Sequence, residues 1–257
     1  MEHVLEINNL DYKQLFQECS FSIPKNKITT LSGSNNCGKT TLLRLLSTDL
    51  IPLYNKIFLN NRDITEYSKK EYDLNVQVVF PLNSSFIGKT ILDDLCLKKE
   101  PIDMTKIEFL LKEFNLNKDK EISKINIKEK IKLQIIESIL KAKTLILIDE
   151  LDLYFDQEEL TKIIKLLHKC CKKYDLSFLI TLINLENALD TDKLIILHQK
   201  KVILEGTPLE VLEKDNWINK AGLQIPFMID LSVKLRDYDL IDTIELKKET
   251  LVNELWK

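Results

Sequence analysis

Short apolar runs set the pattern of this chain. The first 30 residues alternate between apolar and polar positions, which predicts an antiparallel β-layer. Further apolar runs bounded by turn residues lie at 27–32, 56–61, 76–80, 144–148, 177–182 and 193–197. Runs of this kind are typical of buried strands, and residues 202–204 follow the last of them as a hairpin partner. The pattern predicts an α/β fold with a mostly parallel core sheet.

Helical periodicity replaces this pattern between about residues 90 and 140. Apolar residues recur there at helix spacing, namely Ile107, Leu110, Leu111 and Phe114, and then Ile131, Ile135, Ile136 and Ile139. We therefore predict a helical subdomain over about 84–140 within a first domain of residues 1–208.

The C-terminal part is predicted to form a second, small helical module over residues 209–257. Gly206, Thr207 and Pro208 break the sheet region before it. One helical face is expected to bury the residues Phe227, Leu231, Leu235 and Tyr238.

Composition indicates an ordinary globular protein. The chain has 257 residues, of which 44% are hydrophobic, and a formal net charge of -3, so nothing points to a nucleic-acid partner. No segment resembles a signal peptide or a membrane-spanning helix, and we expect the chain to be soluble by itself. Five scattered cysteines argue against a disulfide framework and favour a reducing compartment.

His168 lies close to Cys170 and Cys171, but without a second ligand cluster a helix tail is favoured over a metal site.

A phosphate-binding loop carries the strongest chemical signal. Residues 33–40 read GSNNCGKT, which fits the G-x-x-x-x-G-K-[ST] pattern between a predicted strand and a predicted helix. Gly33 and Gly38 allow the backbone to approach phosphate, and Asn36 tolerates a positive φ. Lys39 is expected to reach the β and γ phosphates, and Thr40 to bind Mg²⁺. The loop therefore predicts a bound nucleoside triphosphate with Mg²⁺, and with the second motif described next the predicted cofactors are ATP and Mg²⁺.

A second motif lies far downstream. The apolar run at 144–148 ends in Asp149 and Glu150, and open α/β sheets place catalytic groups at such strand ends. We expect Asp149 to hold the Mg²⁺ shell and Glu150 to orient or deprotonate the attacking water.

Together these motifs resemble those of the ATP-binding subunits of ABC transporters, over nearly the whole chain. Tyr12 stands where that family places the aromatic residue that stacks on adenine, and Asp156 matches the aspartate of the loop after the second motif. The turn at 205–208 is similar to the end of the family's domain. The nucleotide-binding residues expected on this basis are Tyr12, Gly33, Ser34, Asn35, Asn36, Cys37, Gly38, Lys39, Thr40 and Thr41.

Two further segments resemble one subgroup, the energy-coupling factor (ECF) transporter ATPases. They are residues 221–227, which run into a helix, and residues 86–90 followed by Asp93 and Asp94. The resemblance implies a heterodimer with a second related ATPase, a membrane coupling protein and a substrate-binding membrane protein for vitamins or metal ions. It also implies a peripheral location on the cytoplasmic face of the cell membrane.

The chain departs from the family at three places. Residues 125–129 stand where the family has its Leu-Ser-Gly-Gly-Gln signature; Asn126 is a candidate replacement for the serine, and Lys128 could offer a charge. Pro81 stands at the family's glutamine, with Asn83 as a shorter substitute, and Ile183 aligns with the switch histidine.

These departures predict secure ATP binding and slow hydrolysis. Two other functions stay open: a non-catalytic ATP-binding subunit of an ABC transporter heterodimer, and a soluble ABC protein acting on ribosomes or DNA. The absence of a basic patch and of a long coiled coil argues against the soluble protein.

Overall fold

The N-terminal strands form a four-stranded antiparallel sheet. The computed structural model describes residues 2–50, 54–81, 85–97 and 103–256. The sheet consists of β1 (His3–Tyr12), β2 (Phe16–Pro24), β4 (Ile57–Leu59) and β5 (Arg62–Asp63), in the order β2-β1-β4-β5. Its inward side chains, such as Leu5, Ile7 and Ile23, are buried, as the alternating sequence predicts.

A six-stranded sheet forms the centre of the fold. Its strands are β3 (Ile28–Ser32), β6 (Val76–Val79), β7 (Leu145–Ile148), β8 (Ser177–Leu182), β9 (Lys193–His198) and β10 (Lys201–Gly206). The order is β10-β9-β3-β8-β7-β6, and every pairing is parallel except the β9–β10 hairpin. The prediction of an α/β fold with a mostly parallel core sheet is confirmed. The carboxyl ends of β3, β7 and β8 therefore meet at one edge of the sheet.

Helices follow or connect these strands. They are α1 (Lys39–Leu46), α2 (Lys69–Asn75), α3 (Ile91–Leu97), α4 (Met104–Glu113), α5 (Ile127–Lys141), α6 (Gln157–Tyr174), α7 (Pro208–Leu212), α8 (Asp215–Lys220), α9 (Phe227–Asp237) and α10 (Lys248–Leu255). The residues at helix spacing in α4 and α5 are buried as predicted, including Ile107, Leu110, Ile131 and Ile135.

Three clusters of buried apolar residues hold the layers together. One joins the central sheet to α3 through α6, for instance through Ile146, Ile136 and Leu167. A second fills the space between the two sheets and α1, and it contains Leu31 and Leu43. The third packs α7, α8 and α9 against β9 and β10. The C-terminal helices are thus packed directly on the hairpin edge of the central sheet, and a division of the chain at residue 208 stays a prediction.

The buried face of α9 differs from the expected one. Phe227 and Tyr238 are exposed by 70% and 78%, and the buried residues of the helix are Ile229, Ser232 and Val233. The prediction that Phe227 and Tyr238 lie on the buried face was therefore wrong. The reason is a polar contact that periodicity does not reveal: the Ser232 hydroxyl donates a hydrogen bond of 2.9 Å to the Glu245 carbonyl and accepts one of 3.2 Å from the Glu245 N–H. This contact turns Ser232 toward the interior.

Candidate nucleotide site

The phosphate loop connects the buried strand β3 to α1, as predicted. Gly38 has a φ of 110° and is the N-cap of α1, which begins at Lys39. Asn36 has a φ of 62°, so the prediction that it adopts a positive φ is confirmed. Gly33 has a different constraint, because a Cβ there would lie 2.3 Å from the Leu197 carbonyl oxygen and 2.6 Å from the Cys37 Sγ. Contact with β9 therefore requires glycine at position 33.

Lys39 lies within the concavity of the loop. Its side chain is buried, and Nζ donates hydrogen bonds to the carbonyl oxygens of Gly33 at 2.8 Å and Ser34 at 3.2 Å. The ammonium group is thereby held where the loop and the first turn of α1 enclose an anion site. This position suits the contact with phosphate that the sequence predicts for Lys39.

Thr40 and Asp149 meet across the edge of the sheet. The Thr40 Oγ1 donates a hydrogen bond of 2.9 Å to Oδ2 of Asp149, whose Oδ1 accepts one of 2.7 Å from Thr181 Oγ1. The Thr40 hydroxyl in the first turn of α1 and the Asp149 carboxylate after β7 are oxygen ligands of the kind that Mg²⁺ prefers. The donor set therefore fits Mg²⁺, and the assignment of Thr40 and Asp149 as its ligands stays a prediction.

Glu150 follows Asp149 directly and has an unusual backbone conformation. Its φ and ψ are 45° and 53°, a left-handed conformation that is uncommon for a residue with a long side chain. Its N–H donates a hydrogen bond of 2.7 Å to Thr181 Oγ1. Partial burial and the neighbouring Asp149 carboxylate raise the pKa of Glu150 above its ordinary value. Strained backbone and a raised carboxyl pKa are both common at catalytic positions, which supports the role predicted for Glu150.

These groups surround one cleft of about 540 Å³. Its lining residues are Leu15, Asn35, Asn36, Gly38, Lys39, Thr40, Thr41, Glu150, Leu153 and Ile183. The structure therefore brings the predicted phosphate loop and Glu150 together. Cys37, within the loop, is half-buried, and this burial raises the pKa of its thiol.

Tyr12 occupies a less accessible position than the adenine-stacking role suggests. Its side chain is only 6% exposed and belongs to the core between the two sheets. Lys13 Nζ lies 5.3 Å from the centroid of its ring. Leu15 is 40% exposed and lines the cleft. Stacking by Tyr12 stays a prediction, and Leu15 is an apolar side chain that the sequence did not single out.

The segment that replaces the family signature forms an ordinary helix start. Asn126 is the N-cap of α5: its Oδ1 accepts a hydrogen bond of 2.9 Å from the Glu129 N–H, and Glu129 Oε2 accepts one of 2.9 Å from the Asn126 N–H. Lys128 Nζ donates a hydrogen bond of 2.5 Å to Glu159 Oε2 on α6, and Asp156 is the N-cap of α6. The polar groups at 126 and 128 are therefore engaged within this chain.

The other two departures from the family, at Pro81 and Ile183, differ in their position relative to the cleft. Pro81 is buried and follows the end of β6 after Phe80, and Asn83 lies outside the described residues. Ile183 lines the cleft, so an apolar side chain stands where a hydrogen-bonding group was expected.

Asp152 is a site residue that the sequence analysis missed. Its Oδ2 accepts hydrogen bonds from the backbone N–H groups of Ile183 at 2.6 Å and Asn184 at 2.7 Å. The available signal was a third carboxylate three positions after Asp149, but nothing in the sequence shows that this side chain turns toward the loop after β8.

The cysteines near His168 lie in α6, as expected for a helix tail. Cys170 and Cys171 are buried, and this burial raises the pKa of each thiol to about 12. His168 Nε2 lies 2.9 Å from the Asp190 carbonyl oxygen.

None of the helices in the described ranges has the length and apolar character that crossing a membrane requires.

Solved structures share this fold. One is the structure of cbiO1 from Clostridium perfringens, part of the ABC transporter complex cbiONQ, with a TM-score of 0.75, 21% identity, and coverage of 92% of this chain and 100% of that chain. Another is a bacterial Atm1-family ABC exporter with ATP bound, with a TM-score of 0.72 and 18% identity over 85% of this chain and 41% of that chain.

Sequence comparison identifies the family. The energy-coupling factor transporter ATP-binding protein EcfA1 of Lactobacillus johnsonii is 27% identical over 230 residues, which cover 85% of this chain and 82% of that protein. EcfA1 of Enterococcus faecalis is 22% identical over 273 residues, covering 100% of this chain and 98% of that protein. The profile of the family described as ABC transporter matches residues 16–152, more than half of the chain and both of its nucleotide motifs. The chain therefore belongs to the ABC transporter family, as an ATP-binding subunit.

Proposed function

We propose that this chain is the ATP-binding subunit of an energy-coupling factor transporter, and that it binds Mg-ATP securely but hydrolyses it slowly. The observation that carries this proposal is the convergence of Lys39, Thr40, Asp149 and Glu150 at the edge of one cleft. The similarity to EcfA1 proteins over most of the chain supports the transporter class.

The geometry supports a division of roles. The backbone N–H groups of the loop and Lys39 bind the phosphates, with Lys39 exchanging its two carbonyl contacts for phosphate oxygens. Thr40 and Asp149 would hold Mg²⁺, which supplies charge neutralisation at the phosphates. Glu150, with its raised pKa, accepts the proton of the water that attacks the γ-phosphorus while ADP leaves.

Slow turnover follows from the groups that are missing. Ile183 lines the cleft with a side chain that cannot hydrogen-bond a phosphate oxygen, and Pro81 replaces an amide side chain. Each lost transition-state contact of about 1.4 kcal/mol lowers the rate about tenfold. Binding of ATP itself depends on the phosphate loop, which this chain retains.

The partners follow from the transporter class. We propose a second related ATPase, a membrane coupling protein and a substrate-binding membrane protein for vitamins or metal ions, with this chain peripheral on the cytoplasmic face of the membrane. In such a pair each nucleotide lies between the phosphate loop of one subunit and the signature of the other. The altered segment at 125–129 would then face the partner's nucleotide.

Binding and hydrolysis are tested separately on the purified chain. A fluorescent ATP analogue with Mg²⁺ should bind the native chain, whereas Lys39→Ala should bind at least about tenfold more weakly. Glu150→Gln should bind as the native chain does and lose the slow hydrolysis. Glu158→Gln, an exposed change on α6, is the matched control and should alter neither. Brisk hydrolysis by the lone chain would contradict slow turnover, and unchanged binding by Lys39→Ala would contradict the site.

The non-catalytic subunit is a second candidate, and the apolar Ile183 in the cleft favours it. Solute uptake by the assembled transporter separates the two. A catalytic subunit loses uptake with Glu150→Gln, whereas a subunit that only binds ATP retains uptake with Glu150→Gln and loses it with Lys39→Ala. Co-purification with a membrane protein tests the transporter class itself.

A further inference from the structure

The carboxylate of Asp152 joins the loop after β8 to the segment that carries Glu150. Asp152 lies in a single 3₁₀ turn, Leu151–Leu153, which begins directly after Glu150. One oxygen, Oδ2, accepts both the Ile183 N–H at 2.6 Å and the Asn184 N–H at 2.7 Å. Hydrogen bonds to a carboxylate are shorter and stronger than those between neutral groups. This side chain therefore fixes two consecutive backbone amides of the loop.

A second connection between the same strand ends lies on the other side of Glu150. Thr181 Oγ1 accepts the Glu150 N–H at 2.7 Å and donates to Asp149 Oδ1 at 2.7 Å. Glu150 is thus held between two cross-links from the β8 end, one at its own amide and one two residues later. A left-handed backbone at a residue of this size persists only where the surroundings impose it.

The side chain of Ile183 makes the backbone contact important. An isoleucine side chain has no group that can hydrogen-bond across the cleft, so a hydrogen bond that anchors residue 183 must involve its backbone. Ile183 and Leu153 also line a neighbouring cleft of about 700 Å³ that is bounded by residues 222–227. The wall made by Leu153 and Ile183 separates the nucleotide cleft from the C-terminal segment, and Asp152 holds the two halves of this wall together.

We infer that Asp152 is a positioning residue: by binding the amides of Ile183 and Asn184, it fixes the wall of the nucleotide cleft and the backbone of Glu150. Its effect on turnover rests on the proposed function of Glu150. Its effect on the loop does not, because the two amide hydrogen bonds exist whatever reaction the site performs.

Hydrogen–deuterium exchange tests the loop directly. In the intact chain, Asp152→Ala should raise exchange at the amides of Ile183 and Asn184 by about tenfold or more, and Asp152→Asn should restore much of the protection because its amide oxygen can still accept. Amides within β8, which are bonded to the neighbouring strands, should not change. Glu186→Ala is the matched control, since it removes another carboxylate from the same neighbouring cleft and should leave exchange unaltered.

Turnover provides the second measurement. Single-turnover ATP hydrolysis by Asp152→Ala should fall about tenfold while its Kd for Mg-ATP stays within about twofold of the native value. Should Asp152→Ala fail to fold, Asp152→Leu, which fills the space without an acceptor, takes its place. Unchanged exchange at both amides overturns the inference. Increased exchange with unchanged turnover overturns the inferred effect of Asp152 on Glu150. Absence of hydrolysis in the native chain counts against the proposed function. In that case the exchange measurement still decides whether Asp152 anchors the loop.

Discussion

The Thr40 hydroxyl lies 2.9 Å from Oδ2 of Asp149 and donates a hydrogen bond to it, although the two residues are 109 positions apart in the chain. This contact joins the first turn of α1 to the carboxyl end of β7. It sets a hydroxyl beside a carboxylate at the mouth of the phosphate loop, where we propose that a divalent cation is held.

Thr40→Val should remove the dependence of ATP binding on Mg²⁺. Valine keeps the shape of threonine but lacks the oxygen ligand, so the roughly tenfold or larger gain in affinity that Mg²⁺ gives should be lost. The measurement is the Kd for ATP with Mg²⁺ and with EDTA. Thr40→Ser retains the hydroxyl and should keep the gain; an equal gain in Thr40→Val would show that the cation is held elsewhere.

Gly33→Ala should destabilise the fold and weaken nucleotide binding. The new Cβ would lie 2.3 Å from the Leu197 carbonyl oxygen, so strand β9 or the loop must move, at a cost of about 1–3 kcal/mol. Gly222→Ala is the matched comparison, because its φ is 71° but nothing lies within 4 Å of the added atom. It should cost only the conformational strain, about 1–2 kcal/mol, and leave ATP binding intact. Urea unfolding and ATP titration measure both effects, and loss of binding in Gly222→Ala alone would contradict this assignment.

Leu15→Tyr should tighten nucleotide binding. Leu15 is partly exposed at the cleft, and an aromatic ring in its place offers a face on which a base can stack, worth about 1–3 kcal/mol. An affinity gain of about fivefold or more for Mg-ATP is expected, with a smaller gain for Mg-triphosphate, which has no base. Equal affinities of Leu15→Tyr and the native chain would show that the base does not lie against residue 15.

Glu129→Gln should lower stability near pH 7 and have little effect at low pH. Partial burial opposes the charged form of Glu129, but the Lys120 ammonium and the Asn126 N–H outweigh it and lower the pKa of this carboxyl. A lowered pKa in the folded state adds stability above the ordinary pKa of glutamate, and this stability is lost as the pH falls through the folded value. Thermal midpoints should differ by about 2 °C at pH 7 and converge in acid. A difference that persists in acid would show that charge is not the cause.

The sequence predicted the features whose causes are local. The strand–loop–helix order around Lys39 follows from a buried apolar run, a glycine-containing loop and an amphipathic helix, and all three are present. The left-handed Asn36 follows from the tolerance of asparagine for positive φ. The apolar run before Asp149 likewise identified a central strand.

Features that depend on distant contacts were not predictable in this way. The left-handed backbone of Glu150 is held by a contact with Thr181, and the role of Asp152 depends on a loop that begins 31 residues away in the chain. The buried face of α9 depends on the hydrogen bonds between Ser232 and Glu245, which hydrophobic periodicity does not represent. In each case a polar tertiary contact decides the orientation of a segment.

Three hydrogen bonds at the nucleotide site join segments far apart in the sequence: Thr40 with Asp149, Glu150 with Thr181, and Asp152 with Ile183. The unfolded chain therefore has no such site, and ATP that binds there binds only the folded form. At a free concentration one hundred times its Kd, a ligand of this kind adds about 2.7 kcal/mol to the free energy of unfolding. Depletion of nucleotide would remove this contribution, so a larger fraction of the chain would be unfolded and open to proteolysis.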